Sequence, residues 1–120
     1  MIMISPNYEG IGPHPEYPEY MARDDGDAIV RACIAGEAIP GDRLAIAVGN
    51  SMSKMRRRRK LVVVGDGVTG EQMSACGCKY YPLSALQQAI DDAVAEYEGC
   101  RVAAMSGGAE AFLYDEGESI

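Results

Sequence analysis

The run Leu61-Val62-Val63-Val64, closed by Gly65-Asp66-Gly67, constrains the fold more than any other stretch of this chain. Three consecutive valines restrict their own χ1 angles and favour a pleated, extended backbone. The glycines behind them supply the turn that ends the strand. The fold expected for the rest is built outward from this strand.

Ahead of it, two segments alternate with a period of two. In residues 28–35, Ala28, Val30, Ala32 and Ile34 share one face and Arg31 takes the other. In residues 43–48, Leu44, Ile46 and Val48 do the same. Alternation of this kind predicts strands with one wet side. Ile39-Pro40-Gly41-Asp42 reads as the turn between them, Pro40 fixing φ and Gly41 taking the awkward angle. Gly49-Asn50-Ser51 closes the second strand, and residues 52–55 read as the return of a hairpin. Residues 68–78, broken by Gly70 and Gly77, hold one short extended piece. Residues 100–105 and 110–114 read as a closing hairpin around Ser106-Gly107-Gly108.

Residues 84–98 predict the one helix. Leu86, Ala89, Ile90, Ala93, Val94 and Tyr97 fall at i, i+3, i+4 spacing. Ser84 and Gln87 have capping-box spacing, Pro82 precedes and Gly99 follows. Residues 1–26 read as an extended N-terminal arm. Pro6, Gly10, Gly12, Pro13, Pro15 and Pro18 oppose regular structure, and Tyr8, Tyr17 and Tyr20 give the arm apolar area to lay on a partner. The expected architecture is therefore mainly β, a small barrel or sandwich-like domain over residues 27–120, with one amphipathic helix and an arm. At 120 residues one domain is the natural count. With one Phe and no Trp, its core must be filled by aliphatic side chains, Met and Tyr.

The apolar runs are far shorter than the roughly 20 residues of a membrane span. Met1-Ile2-Met3-Ile4 stops at Ser5-Pro6 without the pattern of an export signal. The chain reads as a product of the cytosol, where Cys33, Cys76, Cys78 and Cys100 remain thiols. Cys76-Gly77-Cys78 lacks a second ligand pair for zinc, and the single histidine, His14, lies in the arm. No metal or cofactor is expected. Gly65, Gly67 and Gly70 match G-x-G-x-x-G, but Gly77 and Pro82 interrupt the helix that a phosphate loop should open, so turn glycines explain them. A lone His in the arm leaves no Ser–His or Cys–His pair. Asp24 with Asp25, and Asp91 with Asp92, read as a turn and as a solvated helix face. The chain is not expected to be an enzyme.

The net charge is −7, yet Arg56, Arg57, Arg58, Arg59 and Lys60 are consecutive. The acidic body disfavours general nucleic-acid binding. The block is a solvated strand entry, a contact for an acidic protein or, least of the three, a local phosphate contact.

One stretch resembles a known family. Ile34-Ala35-Gly36-Glu37-Ala38-Ile39-Pro40-Gly41-Asp42-Arg43-Leu44 resembles the strand–turn–strand unit of the capsid decoration, or cement, proteins of tailed phages. Asp66-Gly67-Val68-Thr69-Gly70-Glu71 is similar to a later turn of that family, and residues 97–113 to its closing hairpin. The resemblance covers about half the chain. The basic block and the helix at 84–98 depart from the family pattern. It implies a structural protein of the virion, made in the host cytoplasm, that binds the major capsid protein and stabilises the assembled head. Homo-oligomers are expected, with Tyr8, Tyr17 and Tyr20 and the block Arg56 to Lys60 as partner contacts. The alternatives are a small cysteine-containing metal- or ligand-binding domain, and a regulatory module that binds an acidic partner or RNA through the basic block.

Overall fold

The computed structural model describes residues 1–107. Its elements are β1 (Ile2–Ile4), α1 (Glu16–Ala22), α2 (Gly26–Ile34), α3 (Arg43–Arg58), β2 (Val62–Val64), α4 (Gly70–Ala75), β3 (Lys79–Tyr81), a 3₁₀ turn (Leu83–Ala85) and α5 (Leu86–Glu96). The expectation of a mainly β barrel or sandwich is overturned. Among the described residues five helices accompany one small sheet, ordered β1-β2-β3. Its strands are parallel, pairing Met3 with Val63 and Val63 with Tyr80. Parallel neighbours need crossovers, and the helices supply them: α1 to α3 between β1 and β2, α4 between β2 and β3.

The strand at 61–64 stands, at the centre of the sheet, with Val63 and Val64 buried. Its side chains alternate between two covered faces. Val63 joins Met21, Leu61, Val68, Met73, Cys76 and Cys78 in the main core beneath α1 and α4. Val62, with Ile2 and Tyr81, faces Ala89 and Ala93 of α5 across a cleft.

The N-terminal arm is not an arm. Ile2–Ile4 is a strand of the sheet, and the amide of Ser5 continues the ladder to the carbonyl of Val64 at 3.0 Å. Pro18, which argues against a helix, sits in the first turn of α1, where no intrahelical donor is required of it. Tyr20 and Met21 of α1 are buried.

The two alternating segments are helices. Residues 28–34 fall in α2, which buries Ile29, and Ala35 caps its end. Residues 43–48 and 52–55 are one continuous helix, α3, capped by the Asp42 carboxylate on the Ala45 amide at 2.7 Å. The turn at 39–42 is where it was expected, with Gly41 at φ 112, but it delivers the chain into a helix. Tyr20, Ile29 and Ile46 form a second small core where α1, α2 and α3 meet.

Residues 68–78 hold α4 in place of an extended piece. The helix expected over 84–98 begins as the 3₁₀ turn and becomes α helical at Leu86, with no side-chain cap at Ala85. Ala89 is its buried residue, while Val94 and Tyr97, assigned to the apolar stripe, are exposed. Residues 100–105 form no strand; the hairpin's second half, 110–114, lies outside the described residues. Among the described residues no helix is long and apolar enough to cross a membrane.

Candidate functional site

Two loops follow the carboxyl ends of β1 and β2 and are laced together by backbone bonds. The amide of Gly67 donates to the carbonyl of Pro6 at 2.9 Å, and that of Gly65 to Tyr81 at 3.2 Å. A Cβ on Gly65 would collide with the Ser5 carbonyl, and one on Gly67 with the carbonyls of Pro6 and Asn7. These glycines let two backbones touch. Asn7 takes a left-handed conformation, φ 48, and its side-chain amide donates to the Ser5 carbonyl at 3.2 Å. Asparagine tolerates that region better than other residues with a Cβ.

The G-x-G-x-x-G loop therefore occupies the strand–loop–helix context that its sequence surroundings argue against. It still does not form a phosphate cradle. Two of its amides are bonded to neighbouring carbonyls, and Thr69 and Gln72 close a capping box on α4. The Asp66 carboxylate accepts the Leu83 amide at 2.9 Å, which places a negative charge beside the loop. α4 itself has six residues.

Beside these loops, between the sheet and the helices, lies a cavity of about 260 Å³. Asn7, Gly10 and Ile11 line it from the first loop, Val68 from the second. The walls are Met3 and Val63 of the sheet, Tyr17 and Met21 of α1, Met52 of α3, Met73 of α4 and Cys76 at its C-terminal end. Among the described residues no charged side chain lines the cavity. Burial, then the nearby Cys76 and Cys78 thiols, raises the Tyr17 pKa above its ordinary value of 10. At neutral pH its hydroxyl is a neutral hydrogen-bonding group.

Cys76 and Cys78 are buried free thiols in the main core. Burial raises both, and Cys78 is pushed up to about 11 by burial and Cys76 together, against the lowering effect of Arg56. A thiol so raised is a poor nucleophile and a poor metal ligand at neutral pH. Among the described residues no group of three or more His, Cys, Asp and Glu side chains is placed to hold a metal.

The expected partner-binding residues are dispersed. Tyr8 is 90% exposed in the β1–α1 loop, Tyr17 lines the cavity, and Tyr20 is buried with the Arg23 guanidinium 4.8 Å from its ring centre. Arg56 is folded inward. It donates to the carbonyls of Met21 at 3.0 Å and Ala22 at 2.9 Å, closing the C-terminal end of α1, and pairs with Asp24. Arg57 donates to the Asp24 carbonyl, Arg59 to that of Arg58, and Lys60 pairs with Glu96. Arg58 and Arg59 remain exposed.

Sequence reasoning missed Asn7, Ile11, Met21, Met52 and Met73 as lining residues. The signal that could have found the site was Met1-Ile2-Met3-Ile4. A short unbroken apolar run before Ser-Pro is also what a parallel strand looks like. Compared with models of protein families, with curated proteins and with solved structures, the chain has no match in any of the three.

Proposed function

We propose that this chain is a small-molecule-binding α/β domain, which takes a compact, uncharged, ring-bearing ligand into the cavity beside the β1–α1 loop. The observation that carries the reading is the cavity itself. It adjoins the carboxyl ends of parallel strands, the side on which open α/β sheets bind ligands. Its wall is apolar with two polar groups, Asn7 and Tyr17, to fix an orientation, which is the usual make-up of a ligand pocket. Size sets the class of ligand. A cavity of about 150 Å³ holds benzene, so about 260 Å³ suits one ring or two fused rings. Four methionines in the wall offer polarisable sulfur to an aromatic edge. Among the described residues no lysine or arginine lines the cavity, which argues against a phosphate-bearing ligand. Binding rather than catalysis is supported by the raised pKa values of Tyr17 and Cys76, which hold both groups in their unreactive forms.

The capsid-decoration role implied by the resemblance has lost two of the units that suggested it. Residues 34–44 are a helix end, a turn and a helix start, and residues 66–71 are a turn into α4. It is not carried further.

The test is a panel of phenol, indole and benzimidazole, screened by saturation-transfer NMR against the wild type and Ile11→Trp. Ile11 is a half-buried loop residue on the cavity wall, so the indole side chain should occupy the space without dismantling the core. At least one probe should bind the wild type and lose its signal with the variant. If the whole panel is silent, or Ile11→Trp binds as well as the wild type, the reading fails.

A further inference from the structure

α3 leaves a row of hydrophobic side chains on its outer side as well as on its packed one. The face packed on α1 and α2 is made of Ala45, Ile46, Gly49, Asn50 and Ser53. The opposite face presents Leu44, Ala47, Val48, Ser51 and Met55, all exposed, with Leu44 at 73%. Their spacing, i, i+3, i+4, i+7 and i+11, draws one continuous stripe along the helix. Small residues occupy its middle, at 47 and 51, and large ones its ends. That arrangement allows a second helix to approach closely at the centre.

The charges say which helix. At the N-terminal end of α3 stand two acids, Glu37 and Asp42, and one cation, Arg43, all exposed. At the C-terminal end stand Arg57, Arg58 and Arg59. Among the described residues none of these three arginines is in an ion pair; Arg57 and Arg59 donate only to backbone carbonyls. An acid at one end and cations at the other is a pattern complementary to itself when reversed. The helix macrodipole has the opposite sign, positive at the N-terminal end, and it too is complementary to itself when reversed.

We infer that α3 is the interface of a two-fold homodimer, packed antiparallel against α3 of a second copy. A two-fold axis midway between Leu44 and Met55 sets Leu44 against the partner's Met55 and Val48 against the partner's Ser51. It brings Arg58, the exposed arginine on the stripe side, to the end of the partner's α3 that carries Glu37 and Asp42. Each contact occurs twice, as closed two-fold symmetry requires. The helix is 16 residues, about 24 Å, long. One helix face buries less than the ~800 Å² per partner of a standard interface, so association should lie in the micromolar range, at roughly 1–100 μM.

The experiment is sedimentation velocity of the full chain from 1 to 300 μM (about three times the weakest association expected). The wild type should pass from monomer to dimer mass over that range. Val48→Glu, at a position already 44% exposed, should keep its circular dichroism spectrum and dissociate at least tenfold more readily. Asp42→Asn retains an N-cap oxygen but loses the charge. It should weaken the dimer at low ionic strength and match the wild type at about 1 M salt, where the screening length is about 3 Å. A wild type that stays monomeric throughout overturns the proposal, since the stripe then serves some other partner. So does a Val48→Glu variant that dimerises like the wild type, or a wild-type mass above that of a dimer.

Discussion

Gly49→Ala tests, by the sign of its effect, whether residues 1–26 pack on α3 as described. Gly49 lies in the interior of α3, and alanine in a helix interior is worth about 1 kcal/mol over glycine. If residues 1–26 were detached from the domain, the substitution should stabilise it by about that amount. In the fold described above, α1 crosses α3 at this glycine. A Cβ added there would lie 2.6 Å from the carbonyl oxygen of Tyr17, 3.1 Å from Tyr20 Cβ and 3.3 Å from the Met21 amide nitrogen. Two of these three neighbours are backbone atoms, so no rotamer change relieves them. The helices must separate by several tenths of an ångström, loosening Tyr20 and Met21 from their buried positions. Overpacking of this kind costs about 1–3 kcal/mol. Set against the propensity gain, the net result is a loss of roughly 1 kcal/mol, with 2 at the upper end. For a domain of this size that is a fall in Tm of about 4–8 °C. Urea unfolding followed by circular dichroism, with a thermal melt beside it, measures both quantities. A midpoint that rises would refute the packing of α1 on α3.

Three further outcomes follow from the same geometry. Arg56→Ala removes two bonds to carbonyls at the end of α1 and the pairing with Asp24; it should cost about 2–3 kcal/mol in urea unfolding, while Arg58→Ala should stay within about 0.5. Of the four cysteines, Cys33 and Cys100 are exposed, so dithionitrobenzoate at pH 8 should titrate two thiols quickly and the buried Cys76 and Cys78 only in denaturant. The Tyr81 hydroxyl, then Gln88 and Lys79, holds the Asp92 carboxyl below its ordinary 3.8. Its stabilising effect should be complete above pH 3.8 and disappear as the pH falls through the lower folded value, and Asp92→Asn should flatten that part of the stability–pH curve.

The strand at 61–64 was legible because three valines in a row have little other use, and the C-terminal helix because its stripe and flanking breakers agree. α3 was not legible, and the reason is specific. Leu44, Ile46 and Val48 satisfy a period of two within six residues, and the helical alternative is hidden by what the helix buries. Asn50 and Ser53 are inside, Ser53 with its hydroxyl on the Arg23 carbonyl, whereas Leu44 and Val48 are outside. Hydropathy at these positions points away from the fold, so a pattern that weighs apolar faces reads the wrong element. β1 failed for a different reason. Three residues are too short for any periodicity, and only pairing with β2, 60 positions along, makes them a strand. The cavity shares that non-local origin. Its wall draws one to three residues from each of seven segments, so no spacing rule could collect them.

The glycine loop after β2 shows how far a motif can be satisfied without its chemistry. Spacing and context are both met: a strand precedes it and a helix begins at Gly70. What decides its use is where the amides point. At Gly65 and Gly67 they are spent on Tyr81 and Pro6, and the absence of a Cβ at each admits the backbone of residues 5–7. A phosphate loop uses the same absence to admit a phosphate. The space that glycine provides here is already filled by the chain's own β1–α1 loop. That packing holds Asn7 at the edge of the cavity and places room for a ligand next to the loop rather than in it.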